Sequence, residues 1–138
     1  SRDTVMTVRT GMPSVSENAV AESWPRVEIP DNDTGGVSVT LELPPKSPAN
    51  FIKVSVKILH TWRGDLTVDL ISPSGKTARL RNDSGGWIDD LIATWSSDSH
   101  TALAGLTGTS GAGIWTIKVV DTSSNDVGTL EYVSISCS

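Results

Sequence analysis

One cysteine, Cys137, stands in a chain of 138 residues, so no disulfide can form within it. No apolar run approaches the roughly 18 residues that a membrane-spanning helix needs, which excludes such a span. Basic residues are also few. Eleven Lys and Arg face 16 Asp and Glu, for a net charge of −5, and a nucleic-acid backbone binder needs the opposite balance, with cations clustered to displace counterions. The two histidines fall in no HExxH pattern, no G-x-S-x-G elbow is present, and Cys137 has no histidine near it in sequence. His60 reads as a hydrogen-bonded corner residue at a strand end and His100 as a solvated one. Triad members lie far apart in any sequence, and nothing here marks one serine above another. The opening SRDTVMTVRTG lacks the apolar stretch of a signal peptide, so the chain reads as an excised or processed piece.

What is there is alternation. Ile52, Val54, Val56 and Ile58 interleave with Lys53, Ser55 and Lys57, a period of two that marks a half-buried strand. Val37, Val39, Leu41 and Leu43 repeat the pattern, as do Leu66, Val68 and Leu70 and, later, Trp115, Ile117 and Val119, each with one wet face and one core face. Residues 128–136 read as a last strand. Ser72-Pro73-Ser74-Gly75 predicts a tight reversal between 66–71 and 76–82, with Pro presetting φ and Gly admitting φ > 0. The Pro-rich stretch 44–48 must interrupt pairing, because proline cannot donate to a ladder. Residues 83–113, rich in Gly and Ser, are long for a structureless loop, so short strands are expected near Leu91–Trp95 and Ala102–Leu106. Residues 1–23 read as an N-terminal linker or edge segment and 24–138 as one all-β domain, an antiparallel β-sandwich of about eight strands. Its acidic balance, with abundant Thr, Ser, Gly and Asn, suits a secreted, extracellular surface.

If successive strands run antiparallel, the connections at 30–36, 60–65, 83–90 and 121–127 emerge at one end of the sandwich. They are rich in carboxylates, whereas the opposite loops at 44–50 and 72–75 carry none. Any one of these Asp is accounted for by turn chemistry. Together, interspersed with Asn32, Asn82, Asn125 and Gly, they form the oxygen-rich setting that Ca²⁺ selects, with Asp31, Asp33, Asp65, Asp121 and Asp126 as the candidate ligands. Five Trp against one Phe and one Tyr is an unusual balance. Trp115 falls on a core-facing position. Trp24, Trp62, Trp87 and Trp95 fall at strand ends or in loops, and Trp62 and Trp87 are the candidates for a partner or sugar-stacking surface. Arg63-Gly64-Asp65 spells an adhesion tripeptide that its turn role already explains, and Asn32-Asp-Thr34 and Asn82-Asp-Ser84 fit the glycosylation sequon.

These segments, in their order, carry a family resemblance. His60-Thr61-Trp62-Arg63-Gly64-Asp65-Leu66, then Leu70-Ile71-Ser72-Pro73-Ser74-Gly75 with Thr77, resembles the signature of the P domain, or homo B domain, which follows the subtilisin-like catalytic domain of kexin- and furin-type proprotein convertases and is appended to many secreted bacterial proteases. Leu106-x-Gly108, Gly113-x-Trp115-x-Ile117-x-Val119-x-Asp121 and Asp126-x-Gly128-x-Leu130 are similar to its closing pattern, and Ile29-Pro30-Asp31-Asn32 and Gly85-Gly86 to its bacterial branch. Leu106 stands where the family usually has Phe and Val133 where it often has Trp, which bears on packing at the last strand. The resemblance implies a jelly roll without catalytic residues, packing on the catalytic domain of a serine or zinc protease and stabilising it, or assisting with protein substrate. It also implies Ca²⁺ in some bacterial members. The expected state is a monomer with no nucleic-acid or membrane partner. The alternative is a carbohydrate- or protein-binding jelly roll using loop tryptophans.

Overall fold

The computed structural model describes residues 19–45, 47–60, 66–82, 90–108, 110–122 and 128–138. Among these residues nine strands form two antiparallel sheets: β1 (Ala19–Ser23), β2 (Val27–Ile29), β3 (Asp33–Leu43), β4 (Ile52–His60), β5 (Leu66–Ile71), β6 (Thr77–Asn82), β7 (Leu91–Ser96), β8 (Gly113–Asp121) and β9 (Gly128–Cys137). One sheet runs β1-β9-β4-β7 with β2 also on β9, and the other runs β3-β8-β5-β6. β1 and β2 lie end to end along β9, Ser23 opposite Val133 and Val27 opposite Leu130, so they are two halves of one edge strand. The break holds Pro25, which cannot donate, and Arg26 at φ 48. Counted that way, eight strands make two four-stranded sheets, every connection crossing between them except the β5–β6 hairpin, which is the order of a jelly roll.

The alternating residues fill the space between the sheets. Ile52, Val54, Val56 and Ile58 of β4 face Leu66, Val68 and Leu70 of β5 and Trp115, Ile117 and Val119 of β8 within one buried cluster. Trp95, next to the last residue of β7, where the expected strand Leu91–Trp95 puts it, packs against it half-buried. The reversal at 72–75 closes as expected, Gly75 N–H donating to Ser72 O at 2.9 Å with Gly75 at φ 94. The segment 44–51 separates β3 from β4, as its prolines require.

Two expectations need correction. Ala102–Leu106 is not a strand: Thr101–Ala104 form one helical turn, α1, with Ala104 N–H donating to His100 O at 3.0 Å. Leu103 and Leu106 are three apart, so a helical turn buries both, whereas a strand would point them to opposite faces. The outward face of β5 is not wet either. Thr67 and Asp69 are 5% and 9% exposed, and Asp69 accepts two hydrogen bonds across the strand from Arg79, Nε to Oδ1 at 2.8 Å and a terminal nitrogen to Oδ2 at 3.0 Å.

Candidate functional site

Pairing registers gather the acidic connections at one end. Asp33 opens β3 opposite Asp121, which closes β8; Leu66 opens β5 opposite the same Asp121; Thr67 faces Asn82 at the end of β6. In the other sheet, Ile29 and His60 both face Gly128, and Ile58 faces Leu91. The short connection 30–32 joins these two sets of strand ends, from β2 in one sheet to β3 in the other.

Of the five proposed ligands, three fall within the described residues. Asp31 is exposed in the turn before β3. Asp33 is exposed, and its Oδ1 accepts a 2.8 Å hydrogen bond from Gly35 N–H, which holds the chain in the bend that begins with Asn32 at φ 47. Asp121 is 1% exposed, because the alternation Trp115, Ile117, Val119 carries it to the core side of its strand. Asp33 and Asp121 are therefore brought together as cross-strand partners, a placement in which like charges repel. Both Asp31 and Asp121 take part in interactions within the fold. Among the described residues no three His, Cys, Asp or Glu cluster closely enough to hold a metal ion. Asp65, Asp126, Trp62 and Trp87 lie outside the described residues, as do the Arg-Gly-Asp segment and Gly85-Gly86.

Among the described residues, His100 and Cys137 are both held within the fold. His100 is half-buried rather than solvated, its Nε2 3.2 Å from Arg79 O. Cys137 is fully buried, and burial pushes its thiol up to about 11, away from the thiolate that attacks substrates. Several serine hydroxyls are likewise hydrogen-bonded within the fold, Ser47 to Pro44 O at 2.6 Å, Ser55 with Thr94 and Ser72 with Ser74 each at 2.9 Å.

One surface feature was not visible in sequence. Trp24, 58% exposed in the break between β1 and β2, lies against Tyr132 on the outer face of β9, ring centroids 5.2 Å apart at 50°. The Tyr132 hydroxyl donates to Glu22 Oε2 at 2.6 Å, and this bond is the main cause of a raised Tyr132 pKa. Only the pairing of β1 with β9 brings residues more than a hundred positions apart into this contact, and periodicity does not encode it.

The family model described as proprotein convertase P-domain matches residues 49–137. A transglutaminase-activating metalloprotease of Streptomyces mobaraensis is 37% identical over 124 residues, 88% of this chain and 15% of that protein. A calcium-dependent protease of Trichormus variabilis is 34% identical over 78% of this chain and 17% of its own length. The fold is shared with the Aeromonas sobria serine protease solved with its chaperone, at TM-score 0.67 and 16% identity over 85% of this chain and 26% of that one. The chain thus spans about a fifth of the length of the proteins it matches.

Proposed function

The chain belongs to the proprotein convertase P-domain family, and from that premise we propose that it is the non-catalytic accessory domain of a larger, secreted bacterial protease, packing on the catalytic domain and stabilising its folded state. The observation that carries this reading is the coverage: relatives named as proteases match 78–88% of this chain with 15–17% of their own length. The domain is taken as residues 24–138 and the segment 1–23 as linker or edge, of which 19–23 supply β1. An interface that forms only with the folded catalytic domain stabilises it by mass action. Deleting 24–138 from the parent protease should shorten its half-life at elevated temperature while leaving the cleavage chemistry intact. The isolated chain should turn over neither casein nor simple esters; turnover by it would overturn the reading. The parent is proposed to be of serine or zinc type, and a relative named as a metalloprotease supports the second.

Ca²⁺ at the acidic end is the finer proposal, supported by the name of one relative and by the register that sets Asp33 against Asp121. Asp31, Asp33 and Asp121, with Asp65 and Asp126 on the neighbouring connections, are the oxygen ligands proposed. A bound Ca²⁺ would neutralise their repulsion and tie the two sheets' ends together. A site filled at 100 times its Kd adds about 2.7 kcal/mol, hence roughly 5–10 °C of thermal stability at this size. Unfolding curves in millimolar Ca²⁺ and in EDTA that coincide would reduce these carboxylates to turn formers.

The exposed Trp24–Tyr132 pair favours a second reading, a carbohydrate or protein platform to which Trp62 and Trp87 would contribute. Saturable quenching of tryptophan fluorescence by a soluble polysaccharide or a collagen-like peptide would support it, and unchanged emission would remove it.

A further inference from the structure

Five large apolar side chains among the described residues are well exposed: Val20, Trp24, Leu59, Ile92 and Ile114. A single one needs no explanation, but four of these share one surface. Val20 alternates with the core-packed Ala19 and Ala21, Leu59 follows the buried Ile58, and Ile92, 71% exposed, lies between Leu91 and Ala93 on the core side, so all three point outward from the β1-β9-β4-β7 sheet. The registers order them. Trp24 lies against Tyr132, Tyr132 faces Lys57 and Lys57 faces Ile92, a row that crosses the sheet from edge to edge, with Leu59 diagonal to Ile92 on β4. The next row is Glu22, Ser134, Ser55 and Thr94, small and polar, with the Ser55 and Thr94 hydroxyls already bonded to each other at 2.9 Å. Such a face can be dried at little cost. The other sheet's outer face cannot, because Lys118, Asp69 and Arg79 stand in a row across it, and removing charges from water is expensive.

Lys57 decides what kind of surface fits. It is exposed at the middle of the apolar row, and no carboxylate among the described residues pairs with it. Of the acids at the margin, Glu22 accepts from Tyr132, Asp90 is engaged within the fold, and Glu131, inserted where β9 slips against β4, is half-buried. An ammonium closed in among Trp24, Tyr132, Leu59 and Ile92 has to meet an anion there. The face spans about 14 Å across three strand spacings and about 20 Å from Lys53 to Leu59 along β4, roughly 300 Å² before side-chain relief. That is the low end of what an inter-domain contact takes from each side, about 300–750 Å². The aliphatic Leu59 and Ile92 offer a sugar no flat ring, so the face as a whole suits protein. The occupant follows from the coverage, since more than four-fifths of each protease relative lies outside the part that matches this chain.

We propose that the outer face of the β1-β9-β4-β7 sheet is where the domain packs on the catalytic domain of its parent protease, against an apolar surface that presents a carboxylate to Lys57. The proposal rests on the accessory-domain reading and adds to it the surface and its chemistry. The test is thiol alkylation, read by mass spectrometry at the substituted position, of Ile92→Cys and of Ile114→Cys on the other sheet, each in the chain alone and in the whole parent protease. Expected is alkylation of Ile92→Cys about tenfold or more slower in the parent than in the chain alone, as a face covered about nine-tenths of the time requires, with Ile114→Cys equally fast in both. Adding Lys57→Glu should restore fast alkylation of Ile92→Cys in the parent, and adding Lys57→Arg should not. Equal rates for Ile92→Cys in parent and chain, or equal protection of Ile114→Cys, overturn the proposal. Deletion of 24–138 judges the accessory reading separately: a half-life that shortens on deletion while Ile92→Cys stays open moves the interface elsewhere, and a half-life unchanged by deletion overturns both. Slow alkylation of Ile92→Cys in the chain alone, with a dimer in sedimentation, overturns the proposal in favour of a second copy. A soluble polysaccharide that protects Ile92→Cys in both chain and parent overturns it in favour of a sugar.

Discussion

Replacing Trp115 by Phe should be among the most damaging conservative changes in this domain. The indole is fully buried in β8, and its Nε1–H donates to Gly111 O at 2.8 Å. Gly111 N–H in turn donates to Ser47 O at 2.9 Å, and a Cβ at Gly111 would lie 2.6 Å from Pro48 O and 3.1 Å from Cys137 Sγ. One side chain therefore fixes the point where the segment before β8, the Pro-rich connection and the last strand meet, at the end opposite the acidic connections. Phe keeps the packing of one ring but leaves the buried Gly111 carbonyl without its donor, at about 1–3 kcal/mol. The lost second ring opens roughly 40 Å³, at about 24 cal/mol per Å³ another kcal/mol or so. The sum, about 2–4 kcal/mol, is a large part of the 5–15 kcal/mol typical of a whole domain. Urea unfolding followed by far-UV circular dichroism should show a lower midpoint with unchanged m-value. The exposed Trp24→Phe should stay within about 0.5 kcal/mol as control. A loss below about 1 kcal/mol for Trp115→Phe would mean that the Gly111 contact does not hold this end together.

Cys137 should be inert in the native state. With its thiol pushed up to about 11 from 9.0, its thiolate at pH 8 is scarcer by about a hundredfold, so disulfide-exchange reagents should label it only in urea; rapid native labelling would contradict its burial. Because the folded pKa is the higher one, this thiol's share of stability is complete below about pH 9 and is lost as pH rises through about 11, on the order of 2–3 kcal/mol by urea midpoints at the two pH values. Asp69→Ala should cost about 1–2 kcal/mol by the same assay, since Asp69 is nearly buried while Arg79 is half-exposed and regains water; no loss would show the pair to be decorative.

The strands that alternate cleanly were legible in sequence because a half-buried strand imposes a period of two. The hairpin at 72–75 was legible because Pro and Gly there have one use. Parity of strand direction was enough to gather the acidic connections at one end. What escaped was set by partners distant in sequence. Nothing local to Leu66–Ile71 announces that Arg79 will lie over Asp69, or that β3 will slip register beside Val120, so the outer face of β5 read as wet. Ala102–Leu106 misread as strand because a five-residue apolar run fits either period, and burial of Leu103 and Leu106 decided it. His100 looked solvated in a polar stretch, and its contact with Arg79 O comes from how α1 packs beside β6. The acidic end was visible as a collection of connections but not as a coordination sphere, because ligand distances depend on how the connecting loops close.

Calorimetric unfolding of the parent protease, set beside unfolding of this chain alone, tests most directly whether the domain packs on and stabilises its catalytic neighbour. The account predicts one coupled transition in the parent, above the midpoint of the isolated chain. A separate parental transition superimposed on that of the isolated chain would mean two domains that do not share an interface, and would contradict it.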